Sequence, residues 1–166
     1  ENQEHIVWLV TFDTGHFKQI YANTPAEKAE DITPEQYRPC GGTPLYDAMG
    51  KSINQLRPMV TADDVVLVTV ITDGYENASR EYNGKAIKAL VEEMKGKGWV
   101  FTYIGANQDV EAVAASMSID NHLAFEEDEE GTKAMFAREC RSRKKFFGKL
   151  NDNIPMCSIS KDYFDE

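Results

Sequence analysis

The sequence predicts an α/β fold in which a mostly parallel sheet carries helices on both faces. Residues 64–72 and 99–104 are nearly continuous apolar runs rich in β-branched and aromatic residues, a pattern typical of strands buried on both faces of a parallel sheet. Segments with apolar residues at helical spacing follow each run. Strands that alternate with helices along the chain indicate an α/β sheet covered by helices.

The N-terminal part predicts a hairpin followed by a helix. Residues 5–12 form an apolar run, residues 13–15 a turn, and residues 17–21 a short partner strand. Residues 33–36 have the form of a capping box and predict a brief helical turn. Pro58 stops the following helix. Its apolar positions recur at helical spacing: Leu45, Met49, Ile53 and Leu56.

The rest of the chain alternates between strands and helices. Polar residues follow the strand at residues 64–72 abruptly, and the next helix is closed by Gly96 and Gly98. The apolar face of that helix comprises Ile87, Leu90, Val91 and Met94. Beyond the strand at residues 99–104, three elements are predicted: a helix ending near Met117, a short strand over residues 122–125, and a long helix over residues 131–148.

Length and composition limit the domain number and the classes of partner. The chain has 166 residues, about one domain's worth, and it shows no repeat, low-complexity segment or linker. We therefore expect one domain over residues 1–150 and a C-terminal tail, residues 151–166, of open placement. The formal charge of −10 argues against nucleic-acid binding. The acidic run at residues 126–130 and the basic run at residues 138–145 complement the dipole of the long helix.

The cysteines and the hydropathy pattern bear on location. Cys40, Cys140 and Cys157 are an odd number without metal-ligand spacing, which favours a reducing compartment over a disulfide framework. No apolar run approaches the roughly 20 residues of a membrane span, and there is no signal peptide. We therefore expect a cytoplasmic protein without a membrane partner.

Polar loops at strand ends are the candidate site. In open parallel sheets, ligands bind outside the carboxyl ends of the strands. Three polar loops occupy such ends, residues 13–15, 73–79 and 105–109, and the glycine-threonine loop at residues 41–43 precedes a helix that could pack on the same rim.

Asp73 is the first candidate, because it directly follows the apolar strand. One interpretation is structural: Asp73 and Gly74 form a turn, and the Asp73 carboxylate caps the next helix. The alternative is that a carboxylate at the end of a buried strand is costly to desolvate unless it meets a cation. A hard ion such as Mg²⁺ favours a carboxylate with hydroxyl or water oxygens.

Thr43 is the second candidate. Threonine followed by Pro44 has the form of an N-cap with proline at the first helical position. Its hydroxyl could instead bind a metal ion. The two interpretations compete, because a hydroxyl oxygen that accepts a hydrogen bond from the helix is less available to a metal ion.

Two segments carry a family resemblance. GGTPLYDA at residues 41–48, together with VITDGYEN at residues 70–77, resembles the von Willebrand factor type A domain family. The strand end at residues 10–13 and the segment at residues 101–108 are similar to bacterial, stand-alone members. The resemblance covers residues 5–147. It implies a Rossmann-like, mostly parallel sheet with one antiparallel edge strand and a metal-ion-dependent adhesion site.

In that family, a divalent ion, usually Mg²⁺, is held by an Asp-x-Ser-x-Ser motif after the first strand, a threonine of the glycine-rich loop and an aspartate of the Asp-Gly loop. The last two match Thr43 and Asp73. An acidic side chain of a partner protein completes the coordination, so the resemblance implies binding rather than catalysis. The expected rim or supporting residues are Asp13, Gly41, Gly42, Asp47, Gly74, Glu76 and Asn77.

Three of these residues have alternative interpretations. Asp47 lies one turn into the helix after Thr43, so structural support of the loop is favoured over metal ligation. Glu76 and Asn77 could line the rim, and residues 77–79 also have the form of a helix cap.

The sequence departs from the family because no Asp-x-Ser-x-Ser occurs in it. The motif and the central first strand are expected upstream of the strand at residues 5–12. Three explanations stay open: the chain is an excerpt of a longer protein, another chain supplies the strand in a strand-exchanged dimer, or the sheet closes around the gap. Two oxygen ligands are too few for Mg²⁺ without further ligands.

Three functions follow as hypotheses. The leading one is a protein-binding module that recognises an acidic group on a partner through the adhesion site, which is incomplete in this chain. The second is a metal-assisted hydrolase or phosphoryl-transfer enzyme that uses Asp73, with Glu76 as the only further carboxylate of the loop. The third is a scaffold whose site has decayed.

Overall fold

The computed structural model describes residues 3–38 and 40–165. These residues divide into two compact units, residues 3–59 with 76–83 and residues 60–75 with 84–165. The chain is a mixed α/β protein with a two-stranded antiparallel sheet and a three-stranded parallel sheet.

The first unit is built from a hairpin and a helix. Strands β1 (Ile6–Asp13) and β2 (His16–Pro25) pair antiparallel around a two-residue turn, which confirms the predicted hairpin. Helix α1 (Leu45–Leu56) is also confirmed, and Pro58 lies in the 3₁₀ turn Arg57–Met59 that follows it. A second 3₁₀ turn spans Ala26–Lys28. The buried apolar face of α1 comprises Leu45, Ala48, Met49 and Ile53.

The predicted capping box and brief helical turn at residues 33–36 are confirmed, although the turn does not extend into a helix. The Thr33 amide donates to Gln36 Oε1 at 2.8 Å, which is the side-chain bond of a capping box. The Thr33 carbonyl accepts from the Gln36 and Tyr37 amides at 2.9 and 3.1 Å, and the second of these is the bond between residues four apart that closes one helical turn.

The second unit contains a parallel sheet in the order β3, β4, β5. The strands are β3 (Leu67–Thr72), β4 (Val100–Gly105) and β5 (Asn121–Ala124). The central strand β4 is buried at every position, as predicted. The expectation that β3 is buried on both faces is wrong, since Ile71 is 42% exposed. The physical reason is that β3 pairs with β4 alone in this sheet and is an edge strand.

Four helices complete the second unit: α2 (Gly84–Gly96), α3 (Val110–Ser116), α4 (Glu129–Asn151) and α5 (Met156–Ile159). Helices α2 to α4 match the predicted ones within a few residues. Ile87, Val91 and Met94 of α2 are fully buried. In the described residues, none of the helices combines the length and the apolar character that a bilayer crossing requires.

The C-terminal tail packs into the core of the second unit. Ile159, Tyr163 and Phe164 join an apolar cluster with residues of the sheet and of α4. Those residues are Val100, Ile104, Leu123, Met135 and Phe146. The tail, whose placement the sequence leaves open, is therefore a structural part of this unit.

A polar contact also holds the tail. The Tyr163 hydroxyl donates to Glu139 Oε1 at 2.9 Å, and Arg143 Nη2 donates to the same oxygen at 2.7 Å. Glu139 is buried, 8% exposed. Burial raises the pKa of the Tyr163 hydroxyl, the negative charge of Glu139 and its hydrogen bond raise it further, and Arg143 opposes this with a smaller effect. Tyr163 therefore stays protonated when ordinary tyrosines ionise.

We expect this to be visible in an alkaline titration of tyrosine absorbance. The Tyr163 hydroxyl should be absent from the absorbance step near pH 10, the ordinary tyrosine pKa, so Tyr163→Phe should leave that step unchanged. Because the folded pKa is raised, the contact stabilises the fold fully below about pH 10 and is lost as the pH rises further. A smaller step near pH 10 in the Tyr163→Phe protein would contradict the assignment.

Candidate functional site

The glycine-threonine loop is held by hydrogen bonds within the first unit. The Gly42 amide donates to Thr14 Oγ1 at 2.6 Å. The Thr43 amide donates to Asn77 Oδ1 at 2.8 Å, and the Asn77 amide donates to the Thr43 carbonyl at 3.1 Å. Backbone and side chains therefore fix residues 42 and 43 from two sides, and the two segments of the motif, residues 41–43 and 76–77, meet.

Both glycines of the loop are required by its shape. Gly41 has φ +80°, a conformation that side-chain-bearing residues rarely adopt. A Cβ on Gly42 would lie 2.5 Å from Asn77 Oδ1, closer than real Cβ atoms approach. These residues therefore hold the loop against Asn77 and have no direct chemical role.

The N-cap interpretation of Thr43 is wrong. Helix α1 begins at Leu45, its N-cap is Pro44, and no side chain of that residue caps it. Pro44 is therefore not at the first helical position either. The Thr43 hydroxyl has no hydrogen-bond partner within residues 3–38 and 40–165, and Thr43 is half-buried. Its oxygen is left available while its backbone is fixed.

The cap of α1 comes instead from a loop about 30 residues further along the chain. Glu76 Oε2 accepts from the Tyr46 amide at 2.9 Å, and Ser79 Oγ accepts from the Asp47 amide at 3.0 Å. Glu76 Oε1 accepts from the Ala78 and Ser79 amides at 2.9 and 2.7 Å. Free amides of a first helical turn need acceptors, and these two side chains supply them. Both Glu76 oxygens are used structurally.

Asp47 of α1 holds the same loop by accepting hydrogen bonds from it. Its carboxylate accepts from the backbone amides of three successive residues, Arg80, Glu81 and Tyr82, at 2.8–2.9 Å. Burial raises the pKa of the Asp47 carboxyl, but these three amides and the charge of Lys51 outweigh burial, and the pKa lies below its ordinary value. Of the two interpretations of Asp47, structural support of the loop and metal ligation, these contacts fit structural support.

Asp13 is engaged in the hairpin turn. Its Oδ1 accepts from the Gly15 amide at 2.7 Å and contacts His16 Nδ1 at 3.1 Å. The Gly15 hydrogen bond has the largest effect and lowers the pKa of Asp13, burial opposes it, and the hydrogen bonds and charge of His16 lower the pKa further. The neighbouring Thr14 is the residue that contacts the glycine loop.

Asp73 and Gly74 belong to the second unit, at the carboxyl end of β3. The Gly74 amide donates to Thr72 Oγ1 at 3.3 Å, and the Thr72 hydroxyl donates to the Gly74 carbonyl at 3.1 Å. The Asp73 side chain is exposed and forms no hydrogen bond with the described part of the chain. The expectation that Asp73 suffers a desolvation cost is therefore wrong, because an edge strand leaves its end in solvent.

The two predicted ligands fit a hard cation by donor type. A hydroxyl and a carboxylate oxygen are the kind of ligand that Mg²⁺ prefers, and neither is occupied by another described residue. The described residues contain no group of three or more His, Cys, Asp and Glu side chains arranged for a metal. Further ligands would be water and a carboxylate from outside the chain.

Sequence reasoning missed two residues of this region, Thr14 and Ser79. Thr14 lies in a hairpin turn, where its residue type signals only local geometry. The sequence predicts that Ser79 belongs to a cap of the helix that follows it, and in the structure Ser79 caps α1 instead.

No protein-family model, curated protein or solved structure matches this chain.

Proposed function

We propose that this protein is a binding module of the von Willebrand factor type A kind, which recognises an acidic group on a partner protein through a divalent cation. The family resemblance assigns the role of an oxygen ligand to Thr43 of the first unit and to Asp73 of the second, and a carboxylate of the partner would complete the coordination. The parallel sheet of the second unit then belongs to a Rossmann-like architecture. The three free cysteines support a reducing, cytoplasmic setting.

The observation that carries the proposal is the state of Thr43. The amides of residues 42 and 43 are bound by Thr14 and Asn77, whereas the Thr43 hydroxyl has no partner in the described structure. A side chain that is neither a cap nor part of a hydrogen-bond network, on a backbone held from two sides, is pre-organised for an external ligand. Cation binding would use that oxygen at little conformational cost.

No observation favours the hydrolase or phosphoryl-transfer alternative. That mechanism needs a base or second carboxylate beside Asp73, and Glu76 was the only candidate in the loop. Both Glu76 oxygens accept hydrogen bonds that cap α1 and close the loop. A carboxylate used in this way is a poor general base, since protonation of either oxygen would disturb the hydrogen bonds that this oxygen accepts.

The test is a titration with Mn²⁺, which has the same preference for oxygen ligands as Mg²⁺. Electron paramagnetic resonance measures the free ion, with sodium acetate added in place of the partner's carboxylate. We expect weak binding, with a dissociation constant on the order of 1 mM. Thr43→Val and Asp73→Asn should each weaken it at least about tenfold, the loss expected for one ligand.

Matched controls separate ligand loss from damage to the fold. Thr43→Ser keeps the hydroxyl and should retain binding, and Asp63→Asn removes an exposed carboxylate outside the motif. Because the Thr43 hydroxyl has no partner among the described residues, Thr43→Val should change the free energy of unfolding by no more than about 0.5 kcal/mol. Wild-type Mn²⁺ binding that survives both substitutions would refute the ligand assignment.

A further inference from the structure

Charge is segregated along α4 in a way that one helix does not explain. Five consecutive acidic residues, 126–130, span the start of the helix at Glu129, and the next seven positions include a single cation, Lys133. Six cations follow within twelve residues: Arg138, Arg141, Arg143, Lys144, Lys145 and Lys149.

The helix dipole accounts for only part of this pattern. Its effect on a charge falls off within the last turn, and α4 ends at Asn151. Lys149 lies in that turn, whereas Arg141 and Lys144 lie about two turns or more before the end. The interpretation that the whole basic run complements the dipole is therefore insufficient, although the acidic first turn and Lys149 fit it.

The unexplained charges lie on the exposed side of the helix. Glu130, Ala137, Arg141 and Lys144 follow one another at intervals of seven, four and three residues, which places them on one stripe, and all four are exposed. Glu130, Arg141 and Lys144 form no ion pair with the described residues. The two ion pairs within α4 are Glu129 with Lys133 and Glu139 with Arg143.

The middle of this side is apolar. Ala137 lies midway between Glu130 and Lys144, seven residues from each, and it is exposed. Cys140, one turn further along the helix, is also exposed. The exposed side therefore has an acidic end, a small apolar centre and a basic end.

From this arrangement we infer that α4 pairs with α4 of a second copy of the same chain, antiparallel and about a two-fold axis near Ala137. The acidic end of each helix then faces the basic end of the other, and the complementary contact occurs twice. A two-fold interface must be self-complementary, and a helix with opposite charges at its two ends and a central apolar residue satisfies that condition. The inference does not rest on the proposed function.

The charge pattern of α4 favours a second copy of the chain over nucleic acid or an anionic membrane as the partner. The net charge of −10 repels nucleic acid, an anionic membrane and a second copy alike at long range, but of these three only a second copy also carries cations that can pair with the acidic run. A second copy brings its own acidic residues 126–130 to the basic end of α4 and its own basic end to the acidic run. Exposed ion pairs contribute little individually, so a weak, salt-sensitive dimer is expected.

Sedimentation equilibrium of the whole chain tests this. At about 0.01 M ionic strength, where the Debye length is about 30 Å, we expect a dimer, and at about 1 M, where it is about 3 Å, the dissociation constant should rise at least tenfold. Glu130→Lys and Lys144→Glu should each shift the protein to monomer at low salt. Lys88→Glu, at an exposed lysine of α2, changes the net charge by the same amount as Lys144→Glu and should leave the dimer intact.

Mixing the two variants distinguishes a lost contact from a damaged helix. Glu130→Lys and Lys144→Glu proteins should form a heterodimer when combined, because each then presents the charge that the other lacks. A single chain carrying both substitutions should dimerise again. A wild-type monomer at low salt would overturn the inference, and so would a dimer that neither α4 variant weakens or a failure of the mixture to associate.

Discussion

Replacing Asp47 by alanine should destabilise the first unit by about 2–4 kcal/mol. The substitution removes the acceptor of three backbone amides, and hydrogen bonds to a charged group contribute about 1.5–3 kcal/mol each before the amides regain water. The Arg80 and Glu81 side chains are exposed, so part of that loss is recovered by solvation. Asp47→Asn keeps one acceptor oxygen and should cost about half as much.

Two measurements check this expectation. Urea unfolding gives the change in free energy, and hydrogen exchange of the Arg80, Glu81 and Tyr82 amides gives the local effect, which should be a large loss of protection. Asp31→Ala, an exposed aspartate of the same unit, is the control and should stay within about 0.5 kcal/mol. Unchanged exchange at residues 80–82 in Asp47→Ala would show that the carboxylate does not hold the loop.

The same carboxylate gives the unit a pH dependence of known sign. The pKa of Asp47 is lower in the folded state than its ordinary value. Its contribution is therefore complete above the unfolded pKa, about 3.9, and it is lost as the pH falls through the folded value. The stability difference between wild type and Asp47→Asn should shrink in that acid range and be constant at neutral pH.

Gly50→Ala should destabilise the first unit by about 1–2 kcal/mol, although alanine is the better helix former. A Cβ at Gly50 would lie 2.6 Å from three ring atoms of Tyr82. That ring cannot move freely, because its hydroxyl accepts from Asn54 Nδ2 at 2.9 Å and its backbone is held by Asp47. Overpacking costs about 1–3 kcal/mol, against a gain of up to about 1 kcal/mol in helix propensity.

The matched substitution is Gly148→Ala in α4. No heavy atom lies within 4 Å of a Cβ built there, so the propensity gain is unopposed and stability should rise by about 0.5–1 kcal/mol. Adding Tyr82→Leu to Gly50→Ala should recover part of the loss through a favourable coupling energy. Equal signs for the two glycine substitutions in chemical denaturation would rule out the clash.

Much of the fold could be predicted because its signals are local. The hairpin, the helix ended at Pro58 and the central strand β4 each have a period, a turn or an apolar run that the sequence displays directly. The burial of β3 could not be predicted in the same way. An apolar run predicts a strand but not whether it has one neighbour or two, and Ile71 is exposed because β3 has one.

In the candidate site, too, local sequence signals identify the residues, whereas distant contacts determine their roles. The motif predicted roles for Thr43, Asn77 and Asp47 together, and in the first unit Thr43 is hydrogen-bonded to Asn77 while Asp47 is hydrogen-bonded to residues 80–82 of the same loop. What each side chain does there depends on contacts across about 30 residues. A threonine before proline has the local form of an N-cap, and only the position of Glu76 and Ser79 shows that the cap is supplied by another segment.

That remote cap has a consequence for the order in which the chain folds. Residues 3–59 leave the ribosome before the acceptors at residues 76–82 do, so the first turn of α1 has no partner for its amides during that interval. The hairpin can form early from neighbouring residues, whereas α1 waits for a segment of high sequence separation. A nascent chain that stops at Met59 should therefore be protease-sensitive at α1, and protection should begin once synthesis has passed Asn83.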